Sequence, residues 1–195
     1  DEITYDEMLE MSSSGAGVLM ARSVEFGRRY NVPIIVKSTF ANNKGTIVKE
    51  KIMEEAIVSG VTHNDKEVKF TLFGVPDQPG IAGTVFGSLS EIGTNVDMIV
   101  QNVSKESITD ISFTAPSEQQ KDVEDTLKNI SKKLDAKGYD VDENIARISI
   151  IGAGMKSESG VASKMFKTLG DNKINISMIS TSPIRVSCVI SSSDI

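Results

Sequence analysis

One stretch of this sequence occurs twice. Gly80-Ile81-Ala82, Phe86, Leu89, Asn95-Val96 and Met98-Ile99 return as Gly160-Val161-Ala162, Phe166, Leu169, Asn175-Ile176 and Met178-Ile179, every pair 80 positions apart without a gap. Upstream, Phe70–Gly74 matches Ile148–Gly152, with two extra residues in the second turn. Two copies at so long a period mean one supersecondary unit duplicated, not a solenoid of many short repeats.

Each copy parses alike. A β-rich run ends at Gly74 or Gly152, and a helix opens after a turn at Gly80 or Gly160. Apolar residues then recur at helical spacing: Ile81, Val85, Phe86, Leu89 and Ile92 in the first copy, Val161, Met165, Phe166 and Leu169 in the second. A polar link ending in Asn95 or Asn175 leads into alternating strands at Val96–Val100 and Ile176–Ile179. Further strands are expected at Ile108–Thr114 and Ile184–Ile190. Ser117 and Gln120 stand where a capping box would open another helix, whose stripe is Val123, Leu127, Ile130 and Leu134. The order β-α-β-β-α-β is that of a ferredoxin-like split unit, so the fold class is α+β with two such modules. Helices hide one face of a sheet of this kind and leave its edges free to pair.

The second copy reaches only Ser191-Ser192-Ser193-Asp194-Ile195, a helix start, so its last helix is expected to be missing. Its final strand is sought in Ala56–Val61, an apolar run belonging to neither half, which would insert the first module into the second. The expected boundaries are 67–143 for the first module and 54–66 plus 144–195 for the second. Ahead of them, Thr4-x-x-Glu7 reads as a capping box before Met8 and Leu9. A second helix is expected over about Ala21–Tyr30 and a strand over Val32–Val36. Fifty residues of this make-up are too few for a domain and read as the end of something larger.

Composition narrows the chemistry. The net charge is −6 with scattered Lys and Arg, which argues against a nucleic-acid footprint. No apolar run approaches the roughly 18 residues of a membrane span, and the acidic, polar start is unlike a signal peptide. The single cysteine, Cys188, permits no internal disulfide, fits a reducing, cytoplasmic setting and is expected to be a buried thiol. With His63, the only histidine, expected in a loop, no His/Cys metal cluster can be assembled. Gly152-Ala153-Gly154 imitates a dinucleotide fingerprint, but Ser157 stands where that pattern needs Gly or Ala. No catalytic or metal-binding residues are assigned.

Val75-Pro-Asp-Gln-Pro-Gly-Ile-Ala82 admits two readings, a turn or a ligand mouth. A helix opening at Gly80 or Gly160 presents unpaired N–H groups and a positive dipole end, which suits a carboxylate; Asp77 would take an ammonium group. As turn residues, Asp77, Asn95 and Asn175 need no ligand at all. The second copy lacks an acid in register with Asp77 and offers Glu158 instead, so two equivalent sites are not expected.

The duplicated unit, with its Asp-x-Pro-Gly turn and Asn-[Val/Ile]-x-Met strand, resembles a tandem of ACT domains, which are regulatory modules that bind amino acids. In PDQPGIAGTVFGSL, NVDMIVQNVS, TDISFT, GAGMKSESGVASKMF and NISMISTSPIRVS the chain resembles the C-terminal part of bacterial aspartokinases, and residues 1–50 resemble the end of their kinase domain and its connector. Met20-Ala21-Arg22 departs from the His/Gln-Pro-Arg usual there. The resemblance implies a parent enzyme that uses ATP and Mg to phosphorylate aspartate, the first step toward lysine, threonine and methionine. The segments that bind nucleotide and aspartate are absent from this chain, so no cofactor is expected in it. The resemblance also implies effector amino acids, lysine, threonine or both, bound between ACT modules of two chains for feedback inhibition. The partners it implies are a second copy in a homodimer and the kinase domain or a catalytic subunit. Carried over by position, the effector residues are Asp77, Gly80, Ala82, Asn95, Val96, Asp97 and Gln101, then Val161, Ala162, Asn175, Ile176 and Ser182. Two other readings stay open: a stand-alone amino-acid sensor, and a dimerisation scaffold without ligand.

Overall fold

A computed structural model describes residues 1–51, 56–102 and 107–195. The chain divides into two compact units, one formed by Asp65–Ala146 and the other by Asp1–Asn64 with Arg147–Ile195. The discontinuous unit begins with β1 (Glu2–Thr4), α1 (Tyr5–Ser13), α2 (Ala21–Arg29), β2 (Ile34–Val36), β3 (Thr46–Lys49) and β4 (Gly60–Asn64). The continuous unit holds β5 (Glu67–Pro76), α3 (Ile81–Glu91), β6 (Ile99–Gln101), β7 (Ile108–Pro116), α4 (Gln120–Lys133) and β8 (Gly138–Asp142). β9 (Ile145–Ile151), α5 (Val161–Asp171), β10 (Met178–Ser182) and β11 (Arg185–Ser191) follow.

The continuous unit is an antiparallel sheet in the order β6-β7-β5-β8. Alternation along β5 and β7 sends Val68, Phe70, Leu72, Ile111 and Phe113 to one face, where Val85 and Leu89 of α3 and Val123, Leu127 and Ile130 of α4 cover them. Phe70 lies opposite Phe113 with ring centroids 5.3 Å apart, and Phe86 meets Phe113 edge-on at 5.7 Å. Three sequence expectations need correction here. β5 does not end at Gly74: the register against β7 shifts between Leu72 and Val75, and Gly74 takes φ +62° inside that bulge. Ile92 lies just past the end of α3 and is 41% exposed. Ser117 does not cap α4; a 3-10 turn over Ser117–Gln119 leads into it, and Gln120 bonds Glu124 instead at 2.9 Å.

The discontinuous unit repeats this plan. Its second sheet has the order β10-β11-β9-β4, with β4 antiparallel to β9 from Gly60↔Ile151 to Asn64↔Arg147. The fourth strand therefore precedes the continuous unit in sequence, and one module is inserted in the other. The strand covers only the end of the expected Ala56–Val61 run and extends past it, so His63 is an exposed strand residue, not a loop residue. An edge strand tolerates polar side chains on its open side, which hides it from a search for apolar runs. Ala56–Ser59 instead pack on the turn after β9: Ser59 N–H donates to Ile151 O at 2.7 Å and Gly154 N–H to Ala56 O at 3.1 Å. A Cβ at Gly152 would lie 2.2 Å from Ile57 O. The Gly-Ala-Gly pattern thus serves close backbone packing.

A smaller sheet, β1-β3-β2, completes this unit, with Ile3, Tyr5, Met8, Val24 and Val48 as its core beneath α1 and α2. Thr4 and Glu7 form the expected capping box.

Candidate functional site

The two module helices begin alike. Gly80 has φ +94° and Gly160 φ +93°, and a Cβ at either would meet nothing within 4 Å. Glycine is required there by the left-handed backbone, not by space. Neither α3 nor α5 has a side-chain cap; the Ile81 N–H at the start of α3 donates to Gln78 O at 3.4 Å, and the first turn of α5 offers its N–H groups to an acceptor.

Around α5 the chain forms a cavity of about 390 Å³, lined by Met155, Lys156, Glu158, Gly160, Val161, Ala162, Ser182, Pro183 and Val186. Of the residues singled out in the second copy, Val161, Ala162 and Ser182 are brought together here. Asn175 and Ile176 are not among the lining residues. Glu158, offered in place of a counterpart to Asp77, is in the wall. Lys156 and Glu158 set one cation and one anion beside an uncapped helix start, a charge pattern that suits a zwitterion. Sequence reasoning missed Met155, Lys156, Pro183 and Val186; the longer turn of the second copy was the only local sign of a wall there.

In the first copy the candidates lie on open surface. Asp77, Gly80, Ala82, Asn95, Asp97 and Gln101 are exposed and Val96 is half-buried. The Asp77 N–H donates to Ser107 O at 2.9 Å, which holds the turn, while its side chain faces solvent. Gln101 ends the edge strand β6. A separate cavity of about 310 Å³ lies at the β5 bulge, lined by Phe73, Gly74, Asn102, Ile108, Thr109, Asp110 and Lys137. Asp110 Oδ1 accepts the Gly74 N–H at 2.8 Å there. None of the named effector candidates lines it.

Two buried groups titrate abnormally. Burial opposes ionisation of Glu7, but hydrogen bonds from Ser59, Ala153 and Thr4 outweigh it and hold the carboxyl below the usual glutamate range. Burial pushes the Cys188 thiol up to about 11. Among the described residues, no group of three or more His, Cys, Asp or Glu is placed to hold a metal ion. The space beside Gly152 and Gly154 is filled by the backbone of Ile57 and Ala56, so the residues here do not fit the phosphates of a nucleotide. No helix among the described residues is long and apolar enough to cross a membrane.

Sheet order, inserted topology and repeated helix starts define a tandem of ACT domains, and the sequence profile of the ACT domain matches residues 69–135 and 148–195. The chain is 47% identical over 193 residues to an aspartate kinase of Pseudomonas fluorescens, covering 97% of this chain and 47% of that protein. It is 37% identical to the crystal structure of aspartate kinase from Synechocystis, with a TM-score of 0.71 over 99% of this chain and 36% of that one. It is 34% identical to the regulatory subunit of aspartate kinase from Thermus thermophilus, solved ligand-free, with a TM-score of 0.67 over 71% of this chain and 91% of that one. The chain belongs to the aspartokinase family and corresponds to its regulatory region. It spans about half the length of the curated relatives it matches.

Proposed function

We propose that this chain is the amino-acid-sensing region of an aspartate kinase, binding lysine, threonine or both and conferring feedback inhibition on aspartate phosphorylation. The observation that carries this reading is the cavity at the start of α5, where an uncapped helix end, Lys156 and Glu158 converge. An α-amino acid would place its carboxylate toward the helix N–H groups and Lys156, and its ammonium toward Glu158. In the first copy, Asp77, Gly80, Ala82, Asn95, Val96, Asp97 and Gln101 form one half of a site that a second copy completes. That arrangement accounts for candidates that stand open in a single chain.

Pairing through the edge strands supplies the second half. Ile99 on β6 and Ile179 on β10 occupy the same repeat position on outer edge strands and are 51% and 45% exposed, apolar surface that a second copy would cover. Residues 1–50 serve as the end of the kinase domain, with 67–143 the first ACT module and 54–66 plus 144–195 the second. ATP and Mg bind the kinase domain of a cytoplasmic parent enzyme. An effector favours the paired arrangement in which that domain is inactive, by its difference in affinity for the two states. The ligand-free regulatory subunit of Thermus thermophilus favours a second version, in which such a region acts on a separate catalytic subunit.

The test is thermal unfolding of the chain with each of the twenty amino acids, then with lysine and threonine together. A ligand at a hundred times its Kd adds about 2.7 kcal/mol. A shift with lysine or threonine is expected; no shift with any of them would leave a dimerisation scaffold as the better reading.

A further inference from the structure

Helix α1 has a second face that its core does not use. Tyr5 and Met8 pack inward with Ile3, Val24 and Val48. Glu7, Glu10 and Ser13, three residues apart along the same helix, form a separate stripe, and each contacts the ACT module of the same unit.

Glu7 has no exposed surface and its carboxylate is shared by two structures. Oε2 accepts the Thr4 N–H at 3.0 Å and the Thr4 hydroxyl at 2.7 Å, closing the cap of α1. Oε1 accepts the Ser59 hydroxyl at 2.5 Å and the Ala153 N–H at 2.8 Å. Ala153 opens the 3-10 turn Ala153–Lys156, and Met155 and Lys156 of that turn line the cavity at the start of α5. One helical turn on, Glu10 pairs with Arg185 at 3.0 Å, and the Arg185 side chain is only 15% exposed. Arg185 adjoins Val186 and lies two residues from Pro183, both of which line the same cavity. Finally, Arg147 Nη2 donates to the Ser13 carbonyl at 3.4 Å. Two acids of one helix thus hold the backbone leading into one wall and the strand carrying the other.

Apolar packing would dock α1 while tolerating small displacements of its partners. Hydrogen bonds to a carboxylate are directional and weaken steeply with lengthening and misalignment, so docking through Glu7 and Glu10 is sensitive to where the walls stand. We infer that α1 is the element that reads this cavity: a ligand that shifts either wall alters the grip of Glu7 on Ala153 or of Glu10 on Arg185, and with it the docking of α1. The inference rests on the reading of the cavity as an amino-acid site. It makes Glu7 and Glu10 positioning residues that touch no ligand.

The experiment combines calorimetric binding with hydrogen exchange of the α1 amides. It uses the full chain with L-lysine and L-threonine as probes, in wild type, Glu10→Gln and Glu7→Gln. Glu10 is partly exposed, so Glu10→Gln is the primary variant should Glu7→Gln fold poorly. Binding by wild type with an α1 exchange change of roughly fivefold or more is expected, as is loss of most of that change in Glu10→Gln while ligand still binds. Binding with α1 exchange unchanged would overturn this inference and leave the effector reading standing. A change that persists in full in the variants would overturn the assignment to these carboxylates. Wild type binding neither probe would overturn both.

Discussion

Replacing Glu7 with Gln removes one charge and little else from the interior of the discontinuous unit. The wild-type carboxylate accepts four hydrogen bonds, two on each oxygen, from Thr4, Ser59 and Ala153. A glutamine keeps one acceptor oxygen, so one backbone N–H and one hydroxyl then face an NH₂ group; the hydroxyl can turn to accept from it, but the buried N–H is stranded. Hydrogen bonds to a charged group contribute about 1.5–3 kcal/mol each, and a stranded buried donor costs a similar amount. The expected loss is about 3–5 kcal/mol, a third or more of the stability of a typical domain. At the urea dependence usual for small proteins, the midpoint moves down by on the order of 1 M or more. Urea unfolding followed by far-ultraviolet circular dichroism reads this directly. The acid limb gives an independent sign. Because the folded pKa is depressed, the Glu7 contribution is fully present above the unfolded glutamate pKa of about 4.3 and is lost as pH falls through the lower folded value. The gap between wild type and Glu7→Gln therefore narrows on acidification. A midpoint shift under about 0.3 M at neutral pH, or a gap that widens in acid, would refute the reasoning.

Further perturbations address other parts of the account. Leu127→Ala, at the centre of the α4 stripe with no exposed surface, should cost about 2–5 kcal/mol in urea unfolding; a cost under 1 kcal/mol would mean the core closes without it. Cys188, buried and with its pKa pushed up to about 11, should label only slowly with a thiol reagent at pH 8 in the native protein and rapidly in denaturant; fast native labelling would contradict its burial. On the proposed pairing through β6, Ile99→Glu on its open edge should weaken self-association tenfold or more in sedimentation equilibrium, about 1.4 kcal/mol, with monomer stability unchanged. An unchanged dissociation constant would place the pairing surface elsewhere.

The duplicated period made both modules legible because core spacing survives duplication: Phe70 and Ile148, and Leu89 and Leu169, hold equivalent places in the two copies. The inserted topology was legible for a weaker reason, an apolar run that belonged to neither copy. The strand itself, Gly60–Asn64, was placed too early because a sheet edge needs fewer apolar side chains than a sheet centre. The candidate site was readable where it depends on local backbone, as at Gly160, and less so where it depends on which walls meet. Val161, Ala162 and Ser182 line the cavity, Asn175 and Ile176 do not, and Lys156 and Val186 were not foreseen. Glu7 marks the limit most clearly. Its short-range role in the capping box follows from Thr4-x-x-Glu7, whereas its bonds to Ser59 and Ala153 span 52 and 146 residues. No local pattern announces contacts of that range.

The central claim, that these modules hold amino acids, is tested most directly by calorimetric titration of lysine and of threonine into the chain, repeated with Asp77→Ala and Glu158→Ala. The account predicts saturable binding of at least one of them, weakened tenfold or more when the acid of its site is removed. Absence of binding by either amino acid, or binding that neither substitution disturbs, would contradict it.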